Sequence, residues 1–236
     1  MSAQTALSPV GAGRTATPPG RGLAAIVLAA GRSSRMGPER NKLVEPIAGR
    51  PLVAWPVDAF LEAGVETVLV VTGFEAKRVR SALGDRGCRC VDHAGWSEGM
   101  GSTLAHGMKE LRMLSPKPDA VLVCVGDLPG LRAEHVAAIV EAARTAGEDH
   151  RTIPPEVLVV PTHGARRGHP VLFGSSYFAA LERLNGDEGA RKILEQNESN
   201  IRLVELATQA ILQDIDTPAD LAEARSQLRL TAVEKH

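Results

Sequence analysis

Four short aliphatic runs, Leu23–Leu28, Thr67–Val71, Ala120–Val125 and Val157–Val160, punctuate this chain at spacings that leave room for a helix between them. Each is continuous and rich in β-branched residues, with no polar residue on every second position, which is how a strand buried on both faces reads. Such a strand needs helices above and below it, so the pattern predicts a three-layer α/β fold built on a mostly parallel sheet. Helices are expected over Leu52–Ala63, Glu75–Leu83, Ser102–Met113, Ala133–Thr145, Ser175–Leu184, Ala190–Gln196 and Pro218–Leu228. Pro56 is admissible in the first of these only because it falls near the opening turn. A chain of 236 residues, 44% of them hydrophobic, can bury one sizeable core, and nothing in its middle reads as a linker. Residues 23–236 are therefore expected to form a single domain. Residues 1–22 hold Ala, Ser, Thr, Pro and Gly without one acidic group, a composition expected to stay disordered.

In an open α/β sheet, ligands sit beyond the carboxyl ends of the strands. The loops after Leu28, Val71, Val125 and Val160 should share that rim, and the first is the most informative. It reads Leu28-Ala29-Ala30-Gly31-Arg32-Ser33-Ser34-Arg35-Met36-Gly37, with Lys42 five residues on. Gly31 and Gly37 permit close backbone approach and positive φ, leaving N–H groups free to meet oxygens, while Arg32, Arg35 and Lys42 bring the charge that several phosphates demand. The spacing matches neither the P-loop nor the three-glycine dinucleotide fingerprint. A nucleoside triphosphate is the expected ligand, against a plain solvated basic turn.

Asp127 ends the third run and is followed by Leu128 and Pro129, which aims its carboxylate at the rim. It reads as a ligand for magnesium, an ion that wants hard oxygens, or as a helix N-cap. Asp216 precedes Thr217 and Pro218, and there the sequence alone favours a cap on a proline-started helix. Gly99-Met100-Gly101-Ser102 opens a helix and offers backbone donors and a hydroxyl suited to a base or ribose, or it is simply a glycine-rich cap. Arg167 and His169 lie in one polar loop, Asp187 and Arg191 in another. A net charge of −1 and a pI near 6.7 argue against nucleic acid or a membrane surface as partner. Cys88, Cys90 and Cys124 are odd in number and lack CxxC spacing, so no disulfide framework or zinc site is suggested and a reducing cytoplasm fits best.

The span from about Leu23 to Arg225 resembles the MobA-like nucleotidyltransferases, and among them is most similar to the molybdenum cofactor cytidylyltransferases. The segments that carry the resemblance come in the family's order: Leu28-Ala-Ala-Gly with Arg35-Met36-Gly37 and Lys42, Gly49-Arg50-Pro51-Leu52, Gly99-Met100-Gly101-Ser102, Gly126-Asp127-Leu128-Pro129, Arg167-Gly168-His169-Pro170-Val171-Leu172-Phe173, Gly186-Asp187-Glu188-Gly189-Ala190-Arg191 and Asp216-Thr217-Pro218. The resemblance implies a Rossmann-like sheet of the nucleotide-diphospho-sugar transferase type and transfer of CMP from CTP to the terminal phosphate of molybdopterin. It implies Leu28, Ala29, Ala30, Gly31, Arg32, Ser33, Gly37, Lys42, Gly99, Gly101 and Ser102 as nucleotide contacts, with Arg35, Lys42 and Asp127 in the chemistry. It further implies Mg2+ on Asp127 and Asp216, a pterin site at Arg167, His169, Asp187 and Arg191, and a molybdenum hydroxylase or its maturation factor as partner. Relatives that use GTP or another phosphate acceptor, an oxidoreductase on the same scaffold, and a carrier of the cofactor are the alternatives.

Overall fold

The computed structural model describes residues 22–37, 41–147, 150 and 152–233; the expected tail, up to residue 21, lies outside them. Ten strands follow in chain order: β1 Leu23–Ala29, β2 Pro46–Ile47, β3 Arg50–Pro51, β4 Thr67–Thr72, β5 Arg89–Asp92, β6 Ala120–Val125, β7 Leu158–His163, β8 Arg166–Arg167, β9 Val171–Gly174 and β10 Ile201–Glu205. The helices are α1 Ala54–Glu62, α2 Ala76–Leu83, α3 Met100–Arg112, α4 Ala133–Arg144, α5 Phe178–Leu181, α6 Arg191–Gln196 and α7 Pro218–Val233. Eight strands form one sheet in the order β10-β7-β9-β6-β1-β4-β5, with β8 paired to β7, while β2 and β3 make a separate hairpin. All four predicted strands are present. Of the predicted helices, the first starts two residues late at Ala54, and Ser175–Leu184 contracts to a 3-10 turn and the four residues of α5.

Strand β1 shows why continuous aliphatic runs were needed. Leu23, Ala25, Val27 and Ala29 face one core with α1, α2 and α4, whereas Ala24 and Ile26 face a second with α3, α5 and α6. The period of two thus feeds two apolar layers, and every position must be hydrophobic. Gly107 lets α3 lie close on the sheet: a Cβ there would stand 2.8 Å from Val71 Cγ2.

Strand direction sets the rim. β1 pairs parallel with β4 and β6, and β9 runs antiparallel between β6 and β7, which returns β7 to the direction of β6. The carboxyl ends of β1, β4, β6 and β7 therefore point the same way. A third, smaller core joins Met36 of the glycine-rich loop and Ile47 of the hairpin to Ile215 and Leu221 at the start of α7. It brings the chain's last helix against its first loop.

Candidate functional site

Beyond Ala29 the chain turns sharply. Ser33 adopts the left-handed conformation (φ 57°), Gly37 lies at φ 102°, and the Ser33 hydroxyl oxygen accepts a hydrogen bond from the Lys42 amide at 3.3 Å. Buried Asn41 accepts from the Leu43 amide at 3.1 Å and so shapes the turn that holds Lys42 over the end of the sheet. Met36 pins the same loop into the third core.

Lys42 Nζ then lies 2.5 Å from Asp127 Oδ2 and 3.0 Å from Asp216 Oδ1, and the Arg35 guanidinium pairs with the other Asp216 oxygen. Burial by itself would pull the Lys42 ammonium down, yet the Asp127 and Asp216 carboxylates together raise it above the ordinary lysine value. Burial pushes the Asp127 carboxyl up from its usual range, Lys42 pulls it back, and nearby Asp214 adds to the upward push. Asp127 caps nothing: α4 is opened by Arg132 and His135, which bond reciprocally across its first turn. Asp216 is not a cap either. Thr217 Oγ1 accepts from the Asp220 amide while Asp220 Oδ2 accepts from the amides of Thr217 and Asp216, a capping box that leaves the Asp216 carboxylate free to face Lys42.

Asp214, which no motif in the sequence singles out, completes the cluster. Ligand atoms of Asp127, Asp214 and Asp216 lie within 4.8 Å of one another. Local alternation explains this: Ile215 is buried in the third core and its amide donates to the Asp127 carbonyl at 3.2 Å, so the residues on either side turn toward Asp127. Three carboxylates on one spot, two of them not fully exposed, suit a hard divalent cation.

Asp127 and Asp216 of this cluster line a cleft of about 560 Å³, while Asp214 lines a second cavity with Ile215 and Asp220. Of the residues the sequence reading singled out, Leu28, Ala30, Gly31, Arg32, Ser33, Arg35, Lys42, Gly99, Asp127, Asp187 and Asp216 line the cleft. Trp96, Met100 and Thr103 line it too and were not anticipated. Trp96 sits edge-on to Phe74 with ring centroids 5.7 Å apart, and the Arg32 guanidinium lies 5.6 Å over that Phe74 ring. The signal for Trp96 was its place directly ahead of the Gly99-Met-Gly segment. Gly99 (φ 115°) admits no side chain, because a Cβ would strike Asp187 and the Gly186 backbone, and its bare backbone leaves room for Asp187 at the cleft wall.

Other expected contacts are placed elsewhere. Ala29 faces the core and Gly37 closes the loop behind the wall. The Gly101 amide is spent on the Gly186 carbonyl at 2.7 Å, and the Ser102 hydroxyl is buried between Glu98 and His93, to which it bonds at 3.1 and 2.8 Å. Both therefore shape the cleft from behind. Arg167 pairs with Glu198, and Arg191 spends its charge on Glu195 one turn along α6 at 2.8 Å. Neither is on the cleft wall. His169 turns inward, its Nδ1 sealed from solvent without a partner, and burial lowers its pKa. The reason is shared: each of these groups finds a nearer partner, or the core, before it reaches the rim.

The sequence profile of the MobA-like NTP transferase domain matches residues 25–201. The chain belongs to that family. Over 133 residues it is 39% identical to the bifunctional protein GlmU of Anaeromyxobacter dehalogenans, a match covering 56% of this chain and 26% of that protein, so the family member described here aligns with about a quarter of such relatives. Its fold is that of a nucleotidyl transferase from Methanothermobacter, with a TM-score of 0.74 at 23% identity over 90% of this chain and 100% of the other. Mycobacterium tuberculosis Rv0371c, solved as a complex with manganese, superposes with a TM-score of 0.69 at 21% identity, covering 86% of this chain and 98% of the other. Among the described residues, no helix is long and apolar enough to cross a membrane.

Proposed function

We propose that the protein transfers CMP from CTP to the terminal phosphate of molybdopterin, releasing pyrophosphate. The observation that carries this reading is one cleft in which a basic glycine-rich loop faces Asp127 and Asp216 across Lys42, with Asp214 clustered beside them. In the proposed reaction an acceptor phosphate oxygen forms a bond to the α-phosphorus of the nucleotide. The bond from that phosphorus to the bridging oxygen breaks, and pyrophosphate leaves. The attacking phosphate is already ionised at neutral pH, so no general base is required, which accords with a cleft that offers charge and backbone donors rather than a histidine pair. Gly31 and its neighbours receive the triphosphate through backbone N–H groups, and Arg32, Arg35 and Lys42 balance its charge. Asp127, Asp214 and Asp216 are the residues that would hold Mg2+, which would supply charge neutralisation of the phosphates. Trp96 offers an aromatic surface for the base.

Base choice rests on Ala30. The segment Leu28-Ala29-Ala30-Gly31 resembles the cytidylyl branch, whereas the guanylyl branch tends to carry Gly-Gly at the last two positions. Ala30 lies on the cleft wall, and its methyl is packed so near Gly73 that a Cβ on that glycine would meet it at 2.9 Å, so the methyl has no room to retreat from a purine. Pyrophosphate release measured with molybdopterin, Mg2+ and each of the four nucleotides tests the reading. CTP should exceed GTP by roughly 10- to 200-fold. Equal turnover of CTP and GTP would overturn the base assignment, and no release with molybdopterin would overturn the acceptor.

A further inference from the structure

Within the carboxylate cluster, Lys42 and a divalent ion compete for the same oxygens. Lys42 Nζ lies 2.5 Å from Asp127 Oδ2 and 3.0 Å from Asp216 Oδ1, on two of the three carboxylates whose ligand atoms come within 4.8 Å of one another. A magnesium-sized ion taking Asp127 Oδ2 at its usual ~2.1 Å would lie within about 4.6 Å of that ammonium, wherever on the oxygen it sat. A lysine is protonated at neutral pH, so the two positive charges repel. Water screens them little, because the Lys42 and Asp127 side chains are only 14% and 11% exposed. We propose that Lys42 is an exchangeable counter-ion, holding the metal site closed until the triphosphate of a bound nucleotide draws its ammonium away, so that nucleotide and metal bind cooperatively. This rests on the nucleotidyl-transfer reading of the cleft.

Lys42 is anchored at its backbone and mobile at its tip. Its amide donates to the Ser33 hydroxyl at 3.3 Å, its carbonyl accepts from the Glu45 amide at 3.0 Å, and buried Asn41 and Leu43 flank it. The flexible four-carbon stem then lets the ammonium change partners while the turn stays in place. Gly31, Arg32 and Ser33 line the same cleft, so a triphosphate lodged on that loop brings phosphoryl oxygens into the space that Lys42 lines. The ammonium there trades one charge-assisted partner for another of the same kind.

Neither half of the exchange is favourable alone. An ammonium pulled off the cluster with no phosphate to receive it leaves shielded carboxylates unpaired, and an ion added with Lys42 in place sets two cations side by side. Linkage is reciprocal, so the factor by which nucleotide strengthens metal binding is the factor by which metal strengthens nucleotide binding. Arg35 is a weaker barrier. It reaches only the other oxygen of Asp216, and its side chain is 70% exposed, where water screens its charge.

Calorimetry on the full chain tests this, with Mn2+ titrated in the absence of nucleotide and CTP titrated in the absence of metal. The variant is Lys42→Gln, which keeps a hydrogen-bond donor and removes the charge. It should bind Mn2+ at least about tenfold tighter than wild type and CTP several-fold more weakly, while Arg35→Ala should tighten Mn2+ binding by less. The opposite signs are the signature, since replacing a side chain that only supports the fold would weaken both. Where Lys42→Gln is too unstable to titrate, its melting temperature carries the same test: Mn2+ should raise it by more than it raises that of wild type. Equal Mn2+ affinities in wild type and variant, or weaker binding of both ligands by the variant, would overturn the exchange and leave the nucleotide reading standing. A wild type that binds Mn2+ but not CTP would overturn that reading, and with it the release of Lys42.

Discussion

Two arginine-bearing loops share the molecule and spend their charge differently. In the loop after β1, Arg32 and Arg35 line the cleft, and Arg35 and Lys42 reach the carboxylate cluster. In the loop that holds β8, Arg167 is paired with Glu198 away from the cleft wall, and Arg191 on α6 is paired within its own helix. The two regions carry the same residue types. What separates them is whether the nearest carboxylate is a surface partner or part of a carboxylate cluster on the rim. Charge content therefore marks a loop as polar, and only the pairing says whether that polarity is directed at a ligand.

The sharpest way to break this contrast is Lys42→Met. It strands Asp127, 7% exposed, without its ammonium, and the expected cost is about 3 kcal/mol or more in denaturant unfolding. Because the Lys42 pKa is raised, its contribution is complete below the ordinary lysine value of 10.5 and is lost as pH climbs past the folded value. The stability gap between wild type and variant should accordingly shrink in strong alkali, and a gap independent of pH would show that lost packing, not the ion pair, sets it. Asp127→Asn in the Lys42→Met background should recover much of the loss.

Asp127→Asn alone is expected to lower turnover by about 10²-fold or more while the fold survives. An active variant would place the chemistry elsewhere. Next in size, Asp214→Ala and Asp216→Ala should each weaken Mn2+ binding, measured by calorimetry, by roughly tenfold. Thr217→Ala should leave that affinity unchanged and cost about 1 kcal/mol of stability, since the capping hydroxyl is its own. An Asp214→Ala protein with wild-type affinity would remove that residue from the cluster's function.

The smallest effect compares the two loops directly. Arg35→Ala should raise the nucleotide KM several-fold, whereas Arg167→Ala should leave both nucleotide KM and melting temperature within error. Were Arg167→Ala to raise the acceptor KM, the second loop would open toward a bound ligand and the contrast drawn from the Arg167–Glu198 pair would narrow.

Much of the framework was legible in the chain itself. The runs that became β1, β4, β6 and β7 had to be continuous because both faces of a central strand are buried, and that demand leaves its mark on every residue. The glycine-rich loop was legible for a similar reason: positive φ at Gly37, as at Gly99 before α3, restricts the residue types that fit. Strand β9 was not, because four residues in an antiparallel insert carry too little pattern to stand out from a loop. The composition of the site was only partly written locally. Asp127 announced itself at a strand end, but Asp214 sits in an irregular segment where an acidic residue is unremarkable. Its inclusion depends on Ile215 being anchored against a loop and hairpin far away in sequence. Ser102, Arg167 and Arg191 show the converse, polar side chains whose motif pointed to a ligand but whose nearest partners are protein groups. The sequence alone thus determined the layers, the rim and the kind of loop that crowns it, because those follow from backbone conformation and hydrophobic periodicity. Which charges meet across the cleft was decided only by tertiary structure, since an electrostatic interaction depends on distances that no local pattern encodes.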